Sequence, residues 1–170
     1  MSKICDNKSA GVLIWKQGSL LLIERKKYNP GFACPAGHFD GDPADVCARK
    51  EASEEVGLEL GMIEEKLSIK LENPCKREGG THHDWMIFNV LDWSGEIKES
   101  EDEVKSFIWA DVEKLRALAK RTESFALEMG LSFSNVSHLV QAANASESWK
   151  KDPGLEPPWY VILKKMEILK

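Results

Sequence analysis

The sequence predicts an α/β fold in which a sheet is covered by helices on both faces. Two apolar runs near the start, Ala10-Gly11-Val12-Leu13-Ile14-Trp15 and Leu20-Leu21-Leu22-Ile23-Glu24-Arg25, are rich in strand formers. They are nearly continuous rather than alternating, the pattern of strands covered on both sides. Strand-like and helix-like segments then succeed one another along the chain, which permits layers of helix, sheet and helix.

The elements follow in order. Lys16-Gln17-Gly18-Ser19 is a turn cluster, so the two apolar runs read as a hairpin. Arg25-Lys26-Lys27 ends the second run, and Asn29-Pro30-Gly31 is a turn. A helix is expected from about Asp42-Pro43, with Asp42 as its cap and Pro43 at its first position. Val46, Cys47, Ala52 and Val56 supply its packed side, and Gly57 stops it. Leu60 to Asn73 reads as a strand, clearest in Leu67-Ser68-Ile69-Lys70-Leu71. Another runs from the His82-His83-Asp84-Trp85 segment through Leu91, and a short one covers Phe107-Ile108-Trp109.

The remainder is helical. A helix over 110–119 is capped by Asp111, with 112, 115, 118 and 119 on one face. A separate short helix covers 122–129. Another covers 134–145, with Val136, Leu139, Val140 and Ala143 inward. After a loop at 146–158, a final amphipathic helix spans 159–168. This tail lacks a large core of its own, so it is expected to dock on the sheet. The reading is a single domain, 1–170, with about 122–170 a helical extension packed on it.

The chemistry concentrates at 37–58. Glu51, Glu54 and Glu55 are three and four residues apart, so a helix brings them within about one turn. Converging carboxylates repel unless a cation sits among them, and a hard ion such as Mg²⁺ takes oxygen ligands and contacts substrate phosphates. The alternative for the carboxylates alone is a solvated face, with Lys50 pairing to Glu54. The turn Gly37-His38-Phe39-Asp40-Gly41-Asp42, at the mouth of the same helix, favours a site.

This stretch resembles the signature of the Nudix hydrolases: a glycine, a spaced acid, then Arg-Glu-x-x-Glu-Glu-x-Gly and an aliphatic residue. Glu51, Glu54, Glu55, Gly57 and Leu58 match its second half. Lys50 replaces the arginine, Asp42 replaces a glutamate, and the gap from Gly37 to Asp42 is one residue short. Pro35-Ala36-Gly37 stands where the family often has Pro-Gly-Gly. If position 36 needs a positive φ, strain follows there.

The resemblance implies a Nudix-like α/β/α sandwich with a mixed sheet and, here, extra C-terminal helices. It implies a pyrophosphohydrolase acting on a nucleoside diphosphate linked to another group. Mg²⁺, with Mn²⁺ as a substitute, would be held by Glu51, Glu54, Glu55 and Gly37. Glu54 or Glu103 would serve as general base, the latter by likeness to a glutamate that related enzymes carry in this region. Lys50 would orient the helix carboxylates. A basic residue such as Arg25 at the end of the second strand also follows from the resemblance.

Other binding residues are read from residue types. Arg25 and Lys27 are candidate phosphate partners, the alternative being a solvated strand end. Arg77, His83 and Trp85, with Lys76 and His82, could meet a phosphate and a flat base. The alternative is a polar hairpin tip with Trp85 in the core.

Bulk properties limit the choices. A net charge of -5 argues against nucleic-acid backbone binding, a capped RNA end excepted. The first eight residues carry no long apolar segment, so neither a secretory signal nor a membrane span is expected. Cys5, Cys34, Cys47 and Cys75 are scattered, which suggests free thiols in a reducing cytoplasm. Cys75 lies near His82 and His83, but a fourth zinc ligand is not evident, so independent roles are expected. A homodimer is left open. The second function class is a non-catalytic nucleotide-binding or regulatory module on the same fold. An isomerase of diphosphate lipids would need a cysteine–glutamate pair in a setting that Asn73-Pro74-Cys75-Lys76 does not resemble.

Overall fold

A computed structural model describes residues 3–170. Met1 and Ser2, the start of the segment read as leader-free, lie outside the described residues. The elements are β1 (Lys8–Leu13), β2 (Trp15–Lys16), β3 (Ser19–Arg25), β4 (Phe32–Ala33), β5 (Ala36–His38) and α1 (Ala44–Val56). Then come β6 (Glu59–Leu60), β7 (Ile63–Leu71), β8 (His83–Val90), β9 (Trp93–Ser94) and β10 (Val104–Ala110). The last are α2 (Val112–Glu128), α3 (Val136–Ala145), α4 (Glu147–Lys151) and α5 (Pro157–Lys165).

One sheet has the order β5-β1-β8-β7 and is mixed: β1 runs parallel to β8, and the other pairs are antiparallel. A second has the order β10-β3-β2, with β4 also on β3. A small ladder joins β6 to β9, a strand that the sequence reading missed.

Apolar residues of these strands face two ways. Val12, Leu21, Ile23 and Phe88 pack with Cys47, Ala52 and Val56 of α1. Leu13, Leu20, Leu22 and Ile87 pack with Leu115 and Leu118 of α2 and with Trp159 and Leu163 of α5. Helices therefore cover both faces, as the continuous apolar runs imply.

Several boundaries differ from expectation. The hairpin joins only β2 to β3, across Gln17 (φ 50°) and Gly18 (φ 81°). Two left-handed central residues are the type I′ pattern that suits strand twist. β1 turns away because β5 and β8 take up its edges. Helix α1 is preceded by Pro43 with no side-chain cap bond, so Asp42 does not cap it. Val46 and Val112 are exposed rather than packed. Gly57 does end α1 in the left-handed conformation (φ 71°).

Helix α2 runs unbroken through 119–122, so the expected boundary at 122 falls inside a helix. Thr122 is accommodated inside this helix: its single hydroxyl proton lies between the carbonyls of Leu155 (2.8 Å) and Leu118 (3.0 Å), which satisfies a polar residue in the core. Asp111 caps α2 as expected, accepting from the Lys114 N–H at 2.8 Å. The loop at 146–158 contains α4, and α5 begins two residues early, at Pro157. Among the described residues, no helix is long and apolar enough to cross a membrane.

Candidate active site

The site is built where α1 passes the short strand β5. The Glu51 carboxyl lies directly over Gly37, where a Cβ would come within 2.1 Å of Glu51 Cδ. Strand pairing of Gly37 with Ala10 of β1 fixes the floor beneath that carboxylate. Ala36 is extended within β5 and is absent from the residues with positive φ, so the strain considered for it does not arise. The shortened turn closes tightly instead. Asp42 N–H donates to the Phe39 carbonyl at 2.9 Å, across Asp40 (φ 52°) and Gly41 (φ 91°), again the type I′ pattern.

Glu55 is only 1% exposed. Its Oε1 accepts from the Ala36 N–H at 3.4 Å and lies 4.0 Å from Arg25 Nη1, while its buried Oε2 has no hydrogen-bond partner. Burial pushes the Glu55 carboxyl up, opposed by Arg25 and reinforced by Glu51 and Glu103. Glu51 is also pushed up, by burial first and then by Glu54 and Glu103. Glu54 and Glu103 themselves are exposed. Four of the expected carboxylates thus share one electrostatic neighbourhood, two of them sunk in protein and two open to solvent.

Arg25 departs from its expected role. Its Nε donates to Glu156 Oε2 at 3.2 Å and its Nη2 donates to the Ala36 carbonyl at 3.4 Å. The guanidinium is held between α1, β5 and the C-terminal segment, rather than reaching out to a phosphate. Glu156 is 3% exposed and was missed by sequence reasoning. A lone acid set in Leu155-Glu156-Pro157-Pro158, an otherwise apolar stretch, was the available signal.

Three further expectations are corrected. Trp85 is buried against Trp159, with ring centroids 5.6 Å apart, and its Nε1 donates to Asn73 Oδ1, so it offers no face to a base. His83 is 1% exposed and faces Cys5 and His38. Arg77 is engaged by both carboxylate oxygens of Asp40, a fork geometry that Lys3 supports from the same carboxylate. Lys50 lies 4.0 Å from Asp42, both about half exposed, so the two residues that depart from the signature meet each other.

Lys27 falls in a different place from these. A cleft of about 630 Å³ is lined by Glu24, Arg25, Lys26, Lys27, Tyr28, Lys105 and Lys150, among others; Lys105 Nζ donates to Glu24 and Lys150 Nζ to Glu147, each at 3.0 Å. Lys26 also ties the cleft to Glu103, since its N–H donates to the Glu103 carbonyl at 2.9 Å. A basic cleft therefore adjoins the carboxylate group through Arg25, Lys26 and Glu103. Cations beside acids suit a ligand that carries several phosphates and a metal.

The NUDIX domain model matches residues 7–129. Among solved structures, the chain is similar to a MutT NUDIX hydrolase from Burkholderia pseudomallei (22% identity, TM-score 0.56, covering 63% of this chain and 84% of that one). It is similar to the E. coli dihydroneopterin triphosphate pyrophosphohydrolase (20%, TM-score 0.55, covering 68% and 88%). A C. elegans Ap4A hydrolase aligns over more of this chain (19%, TM-score 0.51, covering 81% and 95%). At these identities the likeness establishes the fold. No curated protein matches the sequence significantly.

Proposed function

This chain belongs to the NUDIX domain family, and on that premise we propose that it is a divalent-metal-dependent hydrolase that cleaves a diphosphate linkage in a nucleoside diphosphate joined to a second group. The observation that carries the reading is the buried Glu55 carboxylate. One oxygen is held near Arg25 and the other has no partner. A buried charge left in that state is costly unless a cation meets it.

The donor set fits a hard ion such as Mg²⁺, with Mn²⁺ as a substitute. Glu51, Glu54, Glu55 and the Gly37 carbonyl would hold it. When bound, such an ion neutralises phosphate charge and lowers the pKa of a coordinated water. The protein's own groups do the rest. Arg25 fixes Glu55 and offsets one of the clustered negative charges. Glu54 or Glu103, both exposed, would take a proton from an attacking water. Lys26, Lys27, Lys105 and Lys150 would pair with the outlying phosphates. Tyr28, in the same cleft, offers a ring for a base or sugar. We place the reaction in the cytoplasm, where four free cysteines stay reduced.

A panel of nucleotide sugars, dinucleoside polyphosphates, nucleoside triphosphates and capped RNA, assayed with Mg²⁺, tests this. The expected outcome is release of a nucleotide product from at least one compound, abolished by chelator. Nucleotide binding without turnover across the panel would instead support the non-catalytic module.

A further inference from the structure

The fold gathers Cys5, His38, Cys75 and His83 into one group whose ligand atoms all lie within 4.8 Å of one another. They come from four places: the N-terminal segment, the end of β5, the loop after Asn73-Pro74, and the start of β8. Sequence spacing hid the group, because Cys5 and His38 are far from Cys75 and His83 along the chain. We propose that these four side chains form a structural zinc site, separate from the carboxylate site.

Two of the separations are close to those around a tetrahedral ion. Zinc bonds of about 2.0–2.1 Å to nitrogen and about 2.3 Å to sulfur place tetrahedral ligands roughly 3.3 Å apart for two nitrogens and roughly 3.6 Å for nitrogen and sulfur. Here His83 Nε2 is 3.2 Å from His38 Nε2 and 3.4 Å from Cys5 Sγ.

The surrounding bonds also prepare the ligands. His83 Nδ1 is 2.8 Å from the Asn73 carbonyl, which can only accept, and 3.1 Å from the Asn73 side-chain Nδ2; the shorter contact, to the carbonyl, is the one a metal-binding tautomer with its proton on Nδ1 would use. The lone pair of Nε2 then faces the other three ligands. Orientation of a metal-binding histidine by a carbonyl on its second nitrogen is the usual outer arrangement. The Asn7 N–H donates to Cys5 Sγ at 3.3 Å. The Cys75 N–H donates to the Gly80 carbonyl at 3.0 Å and the Cys5 N–H to the Glu78 carbonyl at 2.9 Å, which folds the loop around both sulfurs. Gly80 is needed for this closeness: a Cβ there would lie 2.3 Å from Cys75 Sγ.

Two thiolates and two imidazoles form a closed, borderline-soft set, suited to zinc and unsuited to Mg²⁺. With no position left for water, the role is to hold structure. His38 directly follows Gly37, so the ion would pin the turn whose backbone supports Glu51.

Elemental analysis of the full chain, purified without metal-affinity resin, should find about one zinc per chain. That zinc should survive dialysis against a chelator sufficient to strip Mg²⁺. Exchange with Co²⁺ should give the intense visible bands of a tetrahedral thiolate site. Cys75→Ser and His38→Ala should lose the bands, while Cys34→Ser and Glu54→Gln keep them. If the variants fail to fold, cobalt and zinc titration of the wild-type chain decides alone. No stoichiometric zinc and no cobalt band in the wild type would overturn the proposal. So would a Cys5–Cys75 disulfide in the freshly isolated protein, or bands that persist in soluble Cys75→Ser.

Discussion

At the scale of single residues, the site turns on how much of the carboxylate charge is buried. Glu55 and Glu51 have raised pKa values, with burial as the leading cause. Folding without metal therefore favours their protonated forms. That contribution is present below the ordinary carboxylate value of 4.5 and is lost as pH rises through the raised values. A divalent cation replaces the protons, so its stabilising effect grows in the same direction. The melting temperature gained on adding Mg²⁺ should thus be larger at about pH 8 than at about pH 5, read by differential scanning calorimetry. An equal gain at both would count against metal at Glu51 and Glu55. The three signature glutamates were legible because helical spacing alone groups them. The pairing of Arg25 with Glu156 was not legible, because the two are 131 positions apart and meet only in the folded chain.

At the scale of elements, the short strand β5 and helix α1 define the site together. Their contact depends on the missing side chain of Gly37. In Gly37→Ala the new Cβ would collide with the Glu51 carboxyl group, the far end of a flexible side chain. Glu51 should swing aside at little cost in stability. Misplacing a catalytic group by about 1 Å can cost about 100-fold in rate. Turnover should therefore fall about that far while the melting temperature barely moves, and unchanged turnover would show that this contact does not position Glu51. Periodicity located α1, and Gly57 located its end. The start was misread because Asp42-Pro43 looks like a cap, whereas the tight turn at 39–42 uses the Asp42 N–H for its own closure. The break expected within α2 falls in the polar run Lys120-Arg121-Thr122-Glu123-Ser124. Arg121 Nε instead donates to the Asp152 carbonyl, and Thr122 is satisfied inside the fold.

At the scale of the whole molecule, the C-terminal helices are structural partners of the sheet and not an appendage. Trp159 packs so closely on β1 that a Cβ on Gly11 would lie 2.6 Å from its ring. Phe32 pairs with the tail on both sides of Leu155: its N–H donates to the Gly154 carbonyl and its carbonyl accepts from the Glu156 N–H, both at 2.9 Å. Leu139, Val140, Leu155, Trp159, Ile162 and Leu163 are buried. At about 1.5–3 kcal/mol for each large apolar side chain, they rival the whole stability of a typical domain, about 5–15 kcal/mol. A chain ended after Met129, where the family match stops, should lose cooperative thermal unfolding; a soluble protein with a normal melting transition would contradict this. Docking of the tail was foreseeable, since its apolar faces needed cover. Its delivery of Glu156 to Arg25 was not, because no local pattern encodes a partner in a remote loop.

The central claim is tested most directly by steady-state turnover of Glu54→Gln and Glu55→Gln with Mg²⁺, on whichever diphosphate compound the wild type cleaves. Each replacement keeps shape and removes charge. Both should turn over at least about 100-fold more slowly than wild type, with folding confirmed by circular dichroism. Wild-type turnover in both folded variants would contradict the account.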